Sequence, residues 1–372
     1  RAAPTRWRPG AGGAVTWLRR NTRLPVGRDA VLTPWMGRNL GELARRHGAD
    51  LIFVTSSPYT MLLFGDAARK QTGLPLVLDL RDPWTLNFLQ RRHPAWRQAW
   101  EKRIERRLFT AADRVVFTSE ATTTAYREAM PELPASRFAT VYNSFDPEHR
   151  AGLSEPAQQV EALADGAAAH GGRAETRPLL IRHFGNCYGP RSMATVLRAI
   201  ASLRDNRGIA PDRFDLVNLG RVSHDDLDLA VSLGLSSVYR FQPVVPYAEG
   251  LRELARADLL LLIGYGGERL FVPAKFFDYL LVERPILCLA PPGELADLVA
   301  STRTGETFAP DDVAGAADLI ARALAAHDAG LNDYAPAADL VESFSSVQTA
   351  ARLARLFDDV IAERDASGPA LG

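Results

Sequence analysis

Apolar and polar positions alternate in blocks along this chain. Residues 51–57 (LIFVTSS) form a short, β-favouring apolar run that closes on small polar residues and a proline, as a buried parallel strand ends in a loop. A helical pattern follows over residues 59–71. Residues 74–80 (LPLVLDL) repeat the strand pattern, break at Arg81-Asp82-Pro83-Trp84, and give way to a helical stretch over 94–111. Two more strands are predicted at 114–119 (RVVFTS) and 138–142 (FATVY). Parallel strands need crossover helices to bring the chain back, so this alternation predicts a doubly wound parallel sheet with ligands at the strand carboxyl ends.

From 147 to 177 the chain turns to Ala, Gly, Glu and Gln and nearly loses aromatic and β-branched residues, which reads as a linker. A second alternating series follows at 179–184, 214–219, 238–241, 259–263, 285–289 and 307–308. The stretch 340–363 then carries Val341, Phe344, Val347, Ala351, Leu353, Leu356, Phe357 and Ile361 near helical spacing, as a helix returning to the first domain would. The expected class is therefore α/β, two Rossmann-like doubly wound parallel-sheet domains facing a cleft: 1–148, a linker at 149–177, 178–339, and a returning helix with tail at 340–372. The chain opens on Arg1 and a Pro/Gly/Arg-rich stretch to about Gly13, so the reading allows a truncated N-terminal domain.

Composition narrows the function classes. Of 372 residues, 47% are hydrophobic and 24% charged, enough to bury two cores. Lys plus Arg and Asp plus Glu are both 44, so no overall field draws the chain to nucleic acid or to a membrane, and any charged site is local. Cys187 and Cys288 stand far apart and outside any CxxC or Cys/His ligand spacing, which implies a reducing cytoplasm and no structural zinc. No apolar run reaches the roughly 18 residues that span a bilayer, and the start lacks a signal-peptide pattern, so a soluble or peripheral protein is expected.

Three clusters sit where strands give way to loops or helices. Asp79-Leu80-Arg81-Asp82-Pro83-Trp84 packs two carboxylates around a guanidinium, and their pairing would hold Asp79 or Asp82 ionised toward a substrate hydroxyl; a strand-to-loop ion pair with a turn-forming Asp-Pro is the alternative. In His183-Phe184-Gly185-Asn186-Cys187-Tyr188-Gly189-Pro190-Arg191, a glycine-bearing loop runs into a helix expected to start near Pro190. Free backbone amides there, with Gly185, Asn186, Tyr188 and Arg191, would suit a phosphate, or the segment is an ordinary βα turn. No GxGxxG or GxxxxGK[ST] is present. The third cluster runs from Glu268 through Pro273 and Lys275 to Asp278. Pro273 suits a first helical turn, after which Lys275 could meet phosphate and Asp278 accept from ribose, unless the two form a plain i,i+3 salt bridge.

Taken together, SSP followed by a helix, LVLDLRDPW, HFGNCYGPRS, VPYAEGLRELARADLLLLI and VPAKFFDYLLVERPILCLAPP resemble the bacterial family-4 glycosyltransferases of polysaccharide and natural-product pathways, from about Asp50 to the C-terminus. The resemblance implies a GT-B fold whose C-terminal lobe binds a nucleotide-diphosphate-sugar donor and whose N-terminal lobe binds the acceptor. Transfer would retain configuration and need no metal or other cofactor. It implies Arg191 and Lys275 on the diphosphate, Asp278 on ribose, Glu268 near the donor sugar, residues 241–245 near the base, and the Asp79-Arg81-Asp82 turn facing the acceptor. Two departures stand out. The second glutamate of that family's usual pair would fall at Phe276, which accepts no hydrogen bond, and no glycine-rich first strand is recognisable before Asp50. A nucleotide-sugar epimerase and a non-catalytic nucleotide-sugar-binding accessory protein are the rival readings.

One basic feature remains. Arg91, Arg92, Arg97, Lys102, Arg103, Arg106 and Arg107 accompany Trp96 and Trp100 and would suit peripheral contact with an anionic inner membrane face carrying a lipid-linked acceptor. Because Trp96, Trp100 and Ile104 recur every four residues, the preferred reading is a core-facing stripe with a solvated basic side.

Overall fold

A computed structural model describes residues 28–88, 93–153, 177–189, 191–265 and 269–367. The chain divides into two compact units, Arg1–Val141 with Leu353–Gly372, and Tyr142–Arg352. The division falls ahead of residue 148 because Tyr142 and Phe145 pack with Phe277 and Phe344 of the second unit.

In the first unit, a 3-10 turn at Arg28–Leu32 leads into α1 (Thr33–Arg46), β1 (Ile52–Ser56), α2 (Thr60–Thr72), β2 (Leu76–Leu80), α3 (Ala95–Ala111), β3 (Arg114–Phe117), α4 (Glu120–Ala129) and β4 (Phe138–Thr140). The four strands are all parallel, in the order β1-β2-β3-β4. Every residue of β2, Asp79 included, is buried, as a strand covered on both faces requires. The hydrophobic pattern gives no hint of α1. It packs on α2 through two glycines four apart, where a Cβ on Gly37 would fall 2.5 Å from that of Ala67, and one on Gly41 2.8 Å from that of Gln71. The family's missing glycine-rich strand would lie largely in 1–27, outside the described residues.

The second unit comprises α5 (Glu148–Ala151), β5 (Leu179–Phe184), α6 (Ala194–Arg207), β6 (Phe214–Leu219), α7 (His224–Ser232), β7 (Tyr239–Gln242), α8 (Tyr247–Ala255), β8 (Leu259–Ile263), α9 (Ala274–Val282), β9 (Ile286–Leu289), α10 (Glu294–Ser301), β10 (Gly305–Phe308), α11 (Val313–Asp328), α12 (Ala338–Glu342) and the start of α13 (Ser346–Ser367). Its six strands are parallel in the order β10-β9-β8-β5-β6-β7, with apolar clusters on both faces. The linker expected at 149–177 lies mostly outside the described residues. From Leu353 onward α13 belongs to the first unit, where Leu353, Leu356, Phe357 and Val360 cover Val77, Val116 and Val141. Val360 is fully buried and the other three partly so, which ties this part of α13 to the first sheet.

Candidate functional site

Strands β5 and β8 are neighbours in the sheet but not in sequence, and the strand order reverses between them, so their carboxyl ends frame the ligand crevice of an open α/β sheet. Their paired register covers Ile181↔Leu259 and Arg182↔Leu260. One residue further, the His183 side chain makes the link: Nδ1 lies 2.7 Å from the Leu261 carbonyl oxygen. A carbonyl only accepts, so Nδ1 carries the proton and Nε2 presents a lone pair. That lone pair faces the Lys275 ammonium at 3.4 Å. The Leu261 oxygen also accepts from the Tyr279 hydroxyl at 3.0 Å, and Tyr279 in turn accepts the Phe184 N–H at 2.9 Å. His183 is fully buried, and burial together with the cations Lys275 and Arg191 pushes its pKa well below the usual imidazole range.

Lys275 is the second residue of α9, and its ammonium lies against Gly185. A Cβ on Gly185 would sit 2.2 Å from Nζ, and the glycine's φ of +140° is one that other residues rarely adopt. Gly220 (φ +144°) backs the turn, where a Cβ would fall 2.4 Å from the Gly185 oxygen. Burial, then the charge of Arg191, push the Lys275 amine down to about 8. Arg191 is itself buried, with its guanidinium carbon 3.5 Å from the Tyr265 ring centroid and Nε lacking a hydrogen-bond partner. Neither cation forms an ion pair among the described residues. Two desolvated cations with no ion-pair partner among the described residues suit this end of the sheet to an anion.

The Asp79 cluster lies in the first unit, also at strand carboxyl ends. Thr55 stands opposite Asp79 in register and donates its hydroxyl to Oδ2 at 2.7 Å. The loop that follows is anchored from beneath by Glu105 of α3. Its carboxyl accepts from the Thr85 amide at 3.0 Å, from the Thr85 hydroxyl, and from the Tyr126 hydroxyl at 2.6 Å, while Tyr126 accepts the Trp84 amide at 3.0 Å. Tyr59 stacks on Trp84 with ring centroids 4.9 Å apart. Burial pushes the Glu105 carboxyl up to about 7 despite those hydrogen bonds.

The family model described as Glycosyltransferase Family 4 matches residues 5–149. The match covers the N-terminal part of the chain, most of the first unit. No curated protein is matched in sequence. Among solved structures, a glycosyltransferase from Rickettsia africae aligns with TM-score 0.63 at 11% identity, over 93% of this chain and 87% of that one. Alr3699/HepE of Anabaena, in complex with UDP and glucose, aligns with TM-score 0.60 at 18% identity, over 93% and 89%. Sucrose-phosphate synthase from Thermosynechococcus elongatus gives 0.62 at 14%, over 91% and 80%. At such identities the likeness speaks for the fold, which is GT-B.

The residues singled out from the sequence fare differently. Gly185, Arg191 and Lys275 meet at the β5/β8 reversal, and Asn186 adjoins them, its side-chain oxygen accepting the Arg221 amide at 2.9 Å. Tyr188 is exposed and supplies only its carbonyl, to the Arg191 amide at 3.2 Å. Glu268 lies outside the described residues. Asp278 does not pair with Lys275. Its Oδ1 accepts from the Tyr247 hydroxyl at 2.6 Å, and burial raises its carboxyl despite that bond and the nearby ammonium. Phe276 is wholly in the core.

Four expectations need correction. The helix after β5 begins at Ala194, not near Pro190, and its first amides are already engaged: Met193 N–H donates to Asp226 Oδ1 at 3.1 Å and Ala194 N–H to the Ser192 hydroxyl at 3.0 Å. That helix end therefore offers a phosphate less than its side-chain neighbours do. Pro273 is the N-cap of α9 rather than a first-turn residue. Pairing within the Asp79-Arg81-Asp82 turn is loose, with Arg81 Nη1 3.9 Å from Asp79 Oδ2, and burial outweighs the guanidinium, so the Asp79 carboxyl moves up rather than down. Asp82, at the exposed tip of the turn, moves the same way through partial desolvation. Finally, Trp96 and Trp100 of α3 are not core-facing: they are 50% and 52% exposed.

Sequence reasoning passes over His183, Tyr247, Tyr265 and Tyr279, although three of the four lie within segments quoted for their resemblance. The available signal is an imidazole near the end of a buried strand. A buried ring there needs partners for both nitrogens.

Proposed function

We propose that this chain transfers a sugar from a nucleotide-diphosphate-sugar, bound at the carboxyl ends of β5 and β8, to an acceptor hydroxyl held by the first unit. The observation that carries the reading is the convergence of Lys275 and Arg191 on the Gly185 turn, neither of them ion-paired among the described residues. In the reaction, the bond from the anomeric carbon to the phosphate oxygen breaks as the acceptor oxygen bonds to that carbon. The departing diphosphate gathers negative charge, and the two cations stabilise it more than they stabilise the intact donor. Charge compensation from side chains leaves no task that requires a bound metal. With attack on the face that the phosphate leaves, configuration is retained, and the acceptor proton passes to the departing diphosphate oxygen beside it.

Asp79, Arg81 and Asp82 are the groups proposed to orient the acceptor, and Asp278 with Tyr247 to meet the ribose. A peripheral membrane contact is proposed for α3. Its exposed side carries Trp96, Trp100, Lys102, Arg103, Arg106 and Arg107, whereas its acids, Glu101 and Glu105, are buried. No helix among the described residues is long and apolar enough to cross a membrane.

Calorimetric titration with UDP, GDP and TDP and their sugar conjugates tests the reading. One nucleotide should bind, and Lys275→Ala should weaken it by roughly 10- to 100-fold, the equivalent of one charge-assisted hydrogen bond of about 1.5–3 kcal/mol. Binding that Lys275→Ala leaves unchanged would refute the assignment. Binding without transfer or hydrolysis would favour an accessory protein, and turnover of the donor without acceptor an epimerase.

A further inference from the structure

We infer that His183 is the positioning residue of the anion site: its neutral ring, fixed by the Leu261 carbonyl, accepts a hydrogen bond from Lys275 and aims the ammonium's remaining protons at the donor diphosphate. The inference rests on the proposed donor site and adds a residue and a regulation to it.

The geometry determines each part. The Leu261 oxygen fixes the tautomer, since only a protonated Nδ1 can approach it to 2.7 Å. The Nε2 lone pair is then left buried, and at 3.4 Å Lys275 is the donor that satisfies it. An ammonium has three protons, so one bond to His183 leaves two free. A carboxylate in the same place would neutralise the lysine and compete with an incoming phosphate, whereas imidazole holds it without cancelling its charge. Arg191 is treated alike, lying over the Tyr265 ring rather than against an acid. Gly185 completes the arrangement by leaving the space that the ammonium occupies.

Among the described residues, the charged groups around Lys275 are Arg191 from the β5–α6 loop and Asp278 one turn along α9, with the buried Cys187 thiol beside them. Burial and Arg191 favour the neutral amine, so donor affinity is sensitive to pH just above neutrality. The hydrogen bond to His183 favours the ammonium and opposes that fall.

Two substitutions separate positioning from a structural role. In His183→Asn the amide nitrogen takes the place of Nδ1 and keeps the bond to Leu261, but nothing accepts from Lys275. In His183→Gln an oxygen takes the place of Nε2 and restores the acceptor, while the Leu261 bond is lost. Nucleoside diphosphate affinity is measured for both variants from pH 6.5 to 9.5, with thermal melts to confirm folding. His183→Asn should bind about tenfold more weakly, with its affinity midpoint moved to lower pH, and His183→Gln should recover most of the loss. Wild-type affinity and midpoint in His183→Asn, with the loss appearing in His183→Gln instead, would overturn the inference.

A second readout needs no nucleotide. The pH dependence of Lys275 acylation by acetic anhydride, followed by peptide mass, should show the amine becoming reactive at lower pH in His183→Asn than in wild type. If wild type binds no nucleotide but this change appears, the donor reading fails while the His183–Lys275 linkage stands. An unchanged profile overturns the linkage itself.

Discussion

The Glu105 carboxyl supports a quantitative prediction. It is fully buried beneath the loop that carries Arg81 and Asp82, and burial raises its pKa from 4.5 to about 7. A carboxyl that binds its proton more tightly when folded stabilises the fold most at pH values below the unfolded pKa, and loses that contribution as pH rises through the folded one. The window is therefore about 4.5 to 7. Each tenfold gain in proton affinity on folding is worth about 1.4 kcal/mol, so the total is about 3 kcal/mol. For a domain of this size that corresponds to roughly 6–12 °C in melting temperature. Glu105→Gln keeps an oxygen for Tyr126 and the Thr85 amide and an amide for the Thr85 hydroxyl, but does not titrate. Other carboxyls move in both directions, Asp278 up and Asp215 down, so the informative quantity is the difference between variant and wild type at pH 5 and at pH 8. Relative to wild type, the variant should be more stable at pH 8 than at pH 5. Parallel melting profiles for the two proteins across this range would mean that Glu105 does not hold its proton as its surroundings imply, and would refute the prediction.

Three further outcomes are expected. Gly185→Ala places a Cβ 2.2 Å from the Lys275 nitrogen at a φ of +140°, so nucleotide affinity measured by calorimetry should fall about tenfold, with backbone strain of about 1–3 kcal/mol visible as a lower melting temperature. Asp82→Asn should depress transfer, assayed by release of nucleoside diphosphate in the presence of acceptor, while leaving donor titration unchanged; wild-type rates would remove Asp82 from the acceptor site. On sedimentation with vesicles, the chain should bind phosphatidylglycerol but not phosphatidylcholine. Reversing Arg103 and Arg107 to Glu should abolish binding, because each basic group near an anionic surface contributes about 1 kcal/mol.

The order of strands and helices is legible in the sequence because buried parallel strands write themselves as nearly continuous apolar runs, LLLLI being the clearest and LVLDL broken only by Asp79. α1 is not, because what holds it is close approach at Gly37 and Gly41, and a missing side chain leaves no hydrophobic stripe. Lys275 and Gly185 are legible as residue types suited to phosphate, but their meeting is not, since 90 residues separate two loops that only the sheet order makes neighbours. The Trp96/Trp100 spacing reads as core for a different reason: Glu101 and Glu105 occupy the buried face of α3, and a pattern that treats acids as solvent-facing inverts such a helix. Likewise Asp226, in the first turn of α7, gives no sign in the sequence that it closes the N-terminus of α6.

The two candidate sites differ in the sign of what burial does to them. In the second unit, cations are desolvated beside the neutral His183 and Tyr265 rings, so an incoming anion relieves them and favours the protonated amine. In the first unit, burial raises the Asp79 carboxyl, and Asp82 moves the same way, so a phosphate would worsen their position whereas a hydroxyl can satisfy either protonation state. On the proposed function, the electrostatics would sort the substrates before any shape is considered, a diphosphate to the β5/β8 ends and a hydroxyl-bearing acceptor to the β1–β3 ends. That division is what a transferase requires of two units that must not compete for the same ligand.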